Sequence, residues 1–197
     1  MKVGKFILSL SAAIVVSIVS GTGLPVLAQG GQTAARHDHD GVENSRTAGP
    51  LIQAVREATE RFKDVNVAEA EGYQLQFGCV SGPDAGAMGM HFVNGPLVGD
   101  GEIDVNKPEI VIYEPQPNGR LRLIGADYLV FADVWNATHS SAPELMGQLF
   151  HLFEAPNRFG LPNFYTLHVW AWKDSPTGSF VNWNTNVSCD AFKGPNR

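Results

Sequence analysis

Three histidines and one glutamate carry most of the chemistry this sequence offers. His168 sits in the middle of Phe164 to Trp172, FYTLHVWAW. In that run Phe164, Thr166, His168, Trp170 and Trp172 alternate with Tyr165, Leu167, Val169 and Ala171. Such a period of two, made of strand-forming residues, predicts a β-strand with apolar residues on both faces. An imidazole buried in such a strand needs an acceptor, a carboxylate or a metal. The sequence offers His91, Glu114 and His151 as companions. Three imidazoles and a carboxylate suit a single Zn, Cu, Fe or Mn ion.

Each companion has its own signal. In Ala87 to Asn94, AMGMHFVN, alternation places Gly89, His91 and Val93 on one face and Met88, Met90 and Phe92 on the other. The methionines are therefore expected to pack in the core and not to join His91 in a Cu(I) site. Glu114 closes the run EIVIYE in line with Ile110 and Ile112, so its charge requires a metal or a cation. Arg120 and Arg122, across the predicted hairpin, are the alternative partners. His151 lies between Phe150 and Leu152, on a segment able to close over a sheet. Asp127 and Asp133 are expected on one long strand, about 20 Å apart, too far for a pair of acid–base carboxylates. Phe164, Trp170 and Trp172 are the candidate lining of a pocket for a small apolar ligand, with an ordinary aromatic core as the competing reading.

These residues must be positioned by a sheet. A helix is predicted from Pro50, with Leu51, Val55, Ala58, Phe62 and Val65 forming one apolar stripe. A second, short helix covers Val67 to Glu71. Strands follow at Tyr73–Val80, Ala87–Asn94, Glu109–Glu114, Arg120–Val134 with a bend at Gly125, and Phe164–Trp172, with an edge strand at Phe180–Trp183. The stretch Val98–Lys107 reads as an acidic loop, and Glu144–Phe153 stays ambiguous. Helices followed by strands on short turns predict an α+β fold with a strongly curled or closed, barrel-like antiparallel sheet.

The first residues read as an export signal. Lys2 and Lys5 precede an apolar run from Phe6 to Val19, and Val26-Leu27-Ala28 supplies the small-residue cleavage pattern. The expected organisation is a signal peptide at 1–28, a disordered polar arm at 29–48 and one globular domain at 49–197. The arm holds His37-Asp38-His39-Asp40, read mainly as solvated chain. No later apolar run is long enough to span a membrane. A net charge of −6 without a basic run excludes nucleic acid and anionic membranes as partners. Two cysteines behind an export signal predict one disulfide, Cys79 to Cys189. There is no glycine-rich phosphate loop, hence no nucleotide cofactor is expected.

The pieces Gly86–Asn94 (GAMGMHFVN), Tyr113-Glu114-Pro115, His168–Trp172 (HVWAW) and Asn182-Trp183-Asn184 resemble those of a group of exported bacterial proteins with no assigned activity. The resemblance covers most of the chain after the signal. It implies a bacterial protein of the periplasm or the exterior and carries over no functional residue. Three functions stay open: a metal-binding protein, with or without enzymatic activity; a metal-free binder of a small apolar ligand; and a cell-envelope scaffold.

Overall fold

The computed structural model describes residues 40–194, with side chains from residue 49. The predicted signal peptide and the arm up to residue 39 lie outside the described residues. Helix α1 spans Asp40–Thr59, so Pro50 falls inside it and not at its start. A 3-10 turn, Glu60–Lys63, follows, and helix α2 (Val65–Ala70) is capped by the Asp64 side chain accepting from Asn66 N. The predicted apolar stripe is therefore divided between α1, the turn and α2. No helix among the described residues is long and apolar enough to cross a membrane.

The strands are β1 (Gln74–Gly82), β2 (Gly86–Val93), β3 (Ile110–Pro115), β4 (Leu121–Phe131), β5 (Glu144–Leu145), β6 (Gln148–Leu149), β7 (His151–Phe153) and β8 (Phe164–Val169). Six of them form one antiparallel sheet in the order β1-β2-β3-β4-β8-β7, and β5 and β6 make a separate small hairpin. The sheet curls strongly into a half-barrel, as the sequence predicts. The predicted fourth strand stops at Phe131. Ala132 N there bonds Asn163 O, and Ala132–Asn136 turns into helix α4, which takes Asp133 off the strand. The acidic stretch begins with a short helix, α3 (Gly95–Asp100), capped by Asn94. Among the described residues no strand forms at Phe180–Trp183, where only the single bridge Ala87–Asn184 joins the tail to β2.

The two faces of the sheet are chemically distinct. One carries Met90, Phe92, Val111, Tyr113, Ala126, Tyr128, Leu167 and Val169, and the helices pack on it. Leu51 and Val55 of α1 meet Ala126, Tyr128, Leu167 and Val169, while Phe62 stacks edge-on against Tyr73. The polar atoms on this side find partners. Tyr113 Oη donates to Phe62 O at 2.7 Å, Trp172 Nε1 to Thr59 Oγ1 at 2.9 Å, and Arg56 Nε to Ala171 O at 2.6 Å. The opposite face holds His91, Val93, Ile110, Asp127, Leu129, Thr166 and His168, fixed there by the register Ile110–Asp127–His168 and His91–Ile112.

A disulfide joins Cys79 of β1 to Cys189 of the tail. Closing a loop of 110 residues stabilises such a fold by up to about 4–5 kcal/mol through the unfolded chain. Gly86 is needed beside this tail. It has φ of +81°, and a Cβ there would stand 2.2 Å from Asn184 O.

Candidate metal centre

His91 and His168 stand on β2 and β8, three strand positions apart. On a flat sheet three steps of about 4.8 Å would separate their backbones by about 14 Å. The curl brings the rings together inside the half-barrel, and His91 Nε2 lies 3.3 Å from His168 Nε2. The ring planes are inclined at 69°. Asp127, directly across from His168 on β4, places Oδ1 3.4 Å from His168 Nδ1. Thr166, one step along the same face, donates to the same Oδ1 at 2.5 Å. His91 Nδ1 lies 3.3 Å from Gly89 O. Donor atoms of His91, Asp127 and His168 all fall within 4.8 Å of one another, and all three residues are buried.

Burial sets the charge of the group. It lowers the His91 pKa to about 4, with His168 adding to the effect, and that of His168 to about 3, with His151 adding to it. The same burial raises the Asp127 pKa to about 6, opposed by the Thr166 hydroxyl. Burial thus favours the neutral form of both imidazoles, the form that ligates metal, and works against the charge on Asp127.

Three contacts link the group: Gly89 O to His91 Nδ1, His91 Nε2 to His168 Nε2, and His168 Nδ1 to Asp127 Oδ1. Each needs a proton or a cation between two electron-rich atoms, and two neutral imidazoles carry only two N–H groups, so a proton on Asp127 or a cation has to complete the set. The deficit shows at His168 Nδ1. Although Asp127 is near, this nitrogen makes no hydrogen bond, and it is one of only two buried polar side-chain atoms left so among the described residues, with Asn182 Oδ1. An orphaned nitrogen aimed at a carboxylate in a dry interior is costly unless something positive lies between or beside them.

The other sequence candidates are placed elsewhere. Glu114 is buried but outside the group. Lys173 Nζ reaches both its oxygens at 2.6 and 2.7 Å, and Ser188 N donates at 3.1 Å, so neither Arg120 nor Arg122 is its partner. Lys173 lies just past β8, whose end returns the chain to the end of β3. His151 shares the face of Thr166, its cross-strand neighbour, but on the outermost strand, where it is exposed. Trp170 packs beside His168 with ring centroids 5.8 Å apart, yet neither it nor Trp172 lines the cavity; they donate to Val181 O and Thr59 Oγ1, and of the three expected aromatics Phe164 alone is in the lining.

Two residues at the centre escape a simple reading of alternation. Asp127 is a carboxylate inside the apolar run LIGADYLVF, a signal of the same kind as that of Glu114. Met88 joins His91 on the cavity wall, against the expected opposite face, because Gly89 adopts φ of +91° and interrupts the pleat. Only glycine fits at that point, since a Cβ would meet Tyr113 O at 2.8 Å.

The cavity over the centre is otherwise apolar. Phe77, Val93, Leu129, Phe153, Phe159 and Phe164 are among its walls, and His91, Asp127, Thr166 and His168 are its polar lining. About 30 Å³ of it can hold the centre of a water-sized sphere. That is room for about two waters or a few heavy atoms. Comparison with protein families, with curated proteins and with solved structures finds no match for the chain, so the centre has to be read from its own geometry.

Proposed function

We propose that this protein binds one divalent metal ion, with His91, His168 and Asp127 as its protein groups, and does so after export. The observation that carries the reading is the orphaned His168 Nδ1 within a buried His–Asp–His group. A cation held by these groups would give that nitrogen, or the facing Nε2 atoms, the partner they lack. The donor set of two imidazoles and a carboxylate would suit zinc. Two histidines and a carboxylate would leave a coordination position open to the cavity, as in sites where zinc activates water or binds a ligand. If His168 ligates through Nε2, Asp127 instead accepts from Nδ1–H and orients the ring. Support for export is the pair of cysteines closed into a disulfide, which suits an oxidising compartment, together with the charged and apolar pattern of the first residues.

The test is elemental analysis of protein prepared without added metal, followed by zinc titration against a chromophoric chelator. One equivalent is expected, removed by competing chelator and lost in His91→Ala. Protein that folds normally yet takes up no zinc, copper, iron or manganese would sink the proposal.

A further inference from the structure

We infer that the loop between β7 and β8 is a gate over the centre, moved aside to let an ion pass the Phe159 ring. The ion as the traffic rests on the metal reading above; the gate itself rests on where the cavity meets solvent. His91, Asp127, Thr166 and His168 are buried, and of the cavity lining only Phe77, Val93, Phe153, Phe159 and Leu161 keep partial exposure among the described residues. Phe77 belongs to β1 and Phe153 to β7, the two edges of the half-barrel. Phe159 and Leu161 belong to the loop that follows β7. The mouth of the cavity is therefore the open seam of the sheet, and this loop spans it.

No β-ladder joins β1 to β7 among the described residues, so side chains close the seam. Arg158 Nη2 donates to Ser81 O of β1 at 3.0 Å, and its guanidinium lies 5.4 Å from the centre of the Trp183 ring. Phe159 meets Phe77 with ring centroids 5.4 Å apart. Phe77 reaches that place through a distorted strand. Gln76 pairs with His91, so an unbroken pleat would point Phe77 to the helix face. The register slips between Gln76 and Cys79, and Phe77 takes φ of +64°, a conformation costly for a residue with a Cβ. That bulge turns the ring into the cavity wall. The loop is stiff within itself. The Asn157 side chain accepts from Phe159 N and Leu161 N and donates to Leu161 O, and Asn163 Oδ1 accepts from Ala155 N. A stiff segment joined to β1 through the Arg158 hydrogen bond and ring contacts swings as a unit, and no hydrogen bond of the sheet has to break.

Two readouts test the gate, one of them without metal. In stopped flow, zinc-loaded protein is mixed with excess chromophoric chelator, and metal-free protein with zinc. Arg158→Ala should raise the release and uptake rates together by about tenfold, the scale of one hydrogen bond from a charged donor, with Kd unchanged within about twofold. Phe159→Ala, which removes the ring itself, should act in the same direction. The second readout is acylation of metal-free protein by diethyl pyrocarbonate, followed site by site by mass spectrometry. The reagent is larger than the closed cavity, so His91 and His168 react only when the gate opens, and both should react faster in Arg158→Ala. Exposed His139, stacked on Trp135, is the internal reference. Arg61→Ala, which breaks an exposed ion pair with Glu71, should leave every rate unaltered. Unchanged exchange rates in both gate variants overturn the inference and leave the metal reading standing. A changed Kd with an unchanged uptake rate overturns it as well. Protein that takes up no metal overturns the metal reading, and the acylation rates then decide the gate: faster reaction at His91 and His168 in the variants keeps it, and unchanged reaction removes it.

Discussion

Among the described residues, the buried groups around Glu114 and around Asp127 differ in how completely they are satisfied. At Glu114 a lysine ammonium bonds both carboxylate oxygens and a backbone N–H adds a third contact. At Asp127 one hydroxyl donates, and the neighbouring imidazole nitrogen is left without a bond. The first cluster is closed within the protein and ties the tail to the sheet. The second leaves one buried nitrogen without a partner. Burial alone does not separate them, since Glu114 and Asp127 are both nearly inaccessible. What separates them is the count of donors and acceptors, and an incomplete count marks the place where something from outside is received.

That difference can be broken experimentally, and the largest effect should come from the metal. At a free zinc concentration about 1,000 times Kd, binding should stabilise the fold by about 4 kcal/mol. His168→Ala should abolish the zinc-dependent rise in Tm seen by calorimetry. Next in size is the closed cluster. Lys173→Ala leaves the Glu114 carboxylate without its cation and should cost about 2–4 kcal/mol in chemical denaturation, somewhat less than a fully buried pair because Lys173 keeps some exposure. Its zinc affinity should be unchanged. A shared response of both clusters to either variant would erase the distinction.

Asp127→Asn should act with opposite signs on the two properties. An amide can donate to the orphaned imidazole, so metal-free protein should gain about 1 kcal/mol. Zinc affinity should fall about 10- to 100-fold, measured by chelator competition, whether the carboxylate binds the ion or orients His168.

A smaller effect concerns Glu109, buried beside the same strands and accepting from Leu129 N at 3.0 Å. Burial raises its pKa to about 8 from an ordinary 4.5. Because the folded value is the higher one, the folded protein holds a proton that the unfolded chain has lost. This contribution is fully present below pH about 4.5 and is lost as pH rises through about 8, at no more than about 1.4 kcal/mol per pH unit. Glu109→Gln should flatten stability measured between pH 5 and 8. The smallest effect belongs to His151→Ala. An exposed histidine on the outermost strand should change zinc affinity less than about twofold, given the ordinary cost of altering a surface residue.

The comparison also shows what could be read before folding was known. Strand alternation placed His168 in a buried strand and His91 on the face of Val93, because a period of two holds through β8 and through β2 after Gly89. The disulfide followed from compartment and count. Glu114 was correctly marked as needing a partner, but Lys173 lies 59 residues away and meets it only once β8 has paired with β4. Asp127 was weighed only against Asp133, as a pair on a straight strand. Its tie to His168 depends on a cross-strand register that no local pattern encodes. Met88 escaped because one glycine with positive φ resets the alternation, and φ is not written in a hydropathy pattern.

The disulfide has a further consequence, for the order of folding. All three residues of the centre lie between Cys79 and Cys189, and the two histidines meet across a sequence separation of 77. Such contacts form late, since loop-closure entropy must be met before they contribute. A metal ion therefore cannot template this sheet from the unfolded chain. On the metal reading proposed above, the ion meets a centre that the sheet has already assembled, and the ions present where the cysteines are joined would decide which one is taken first.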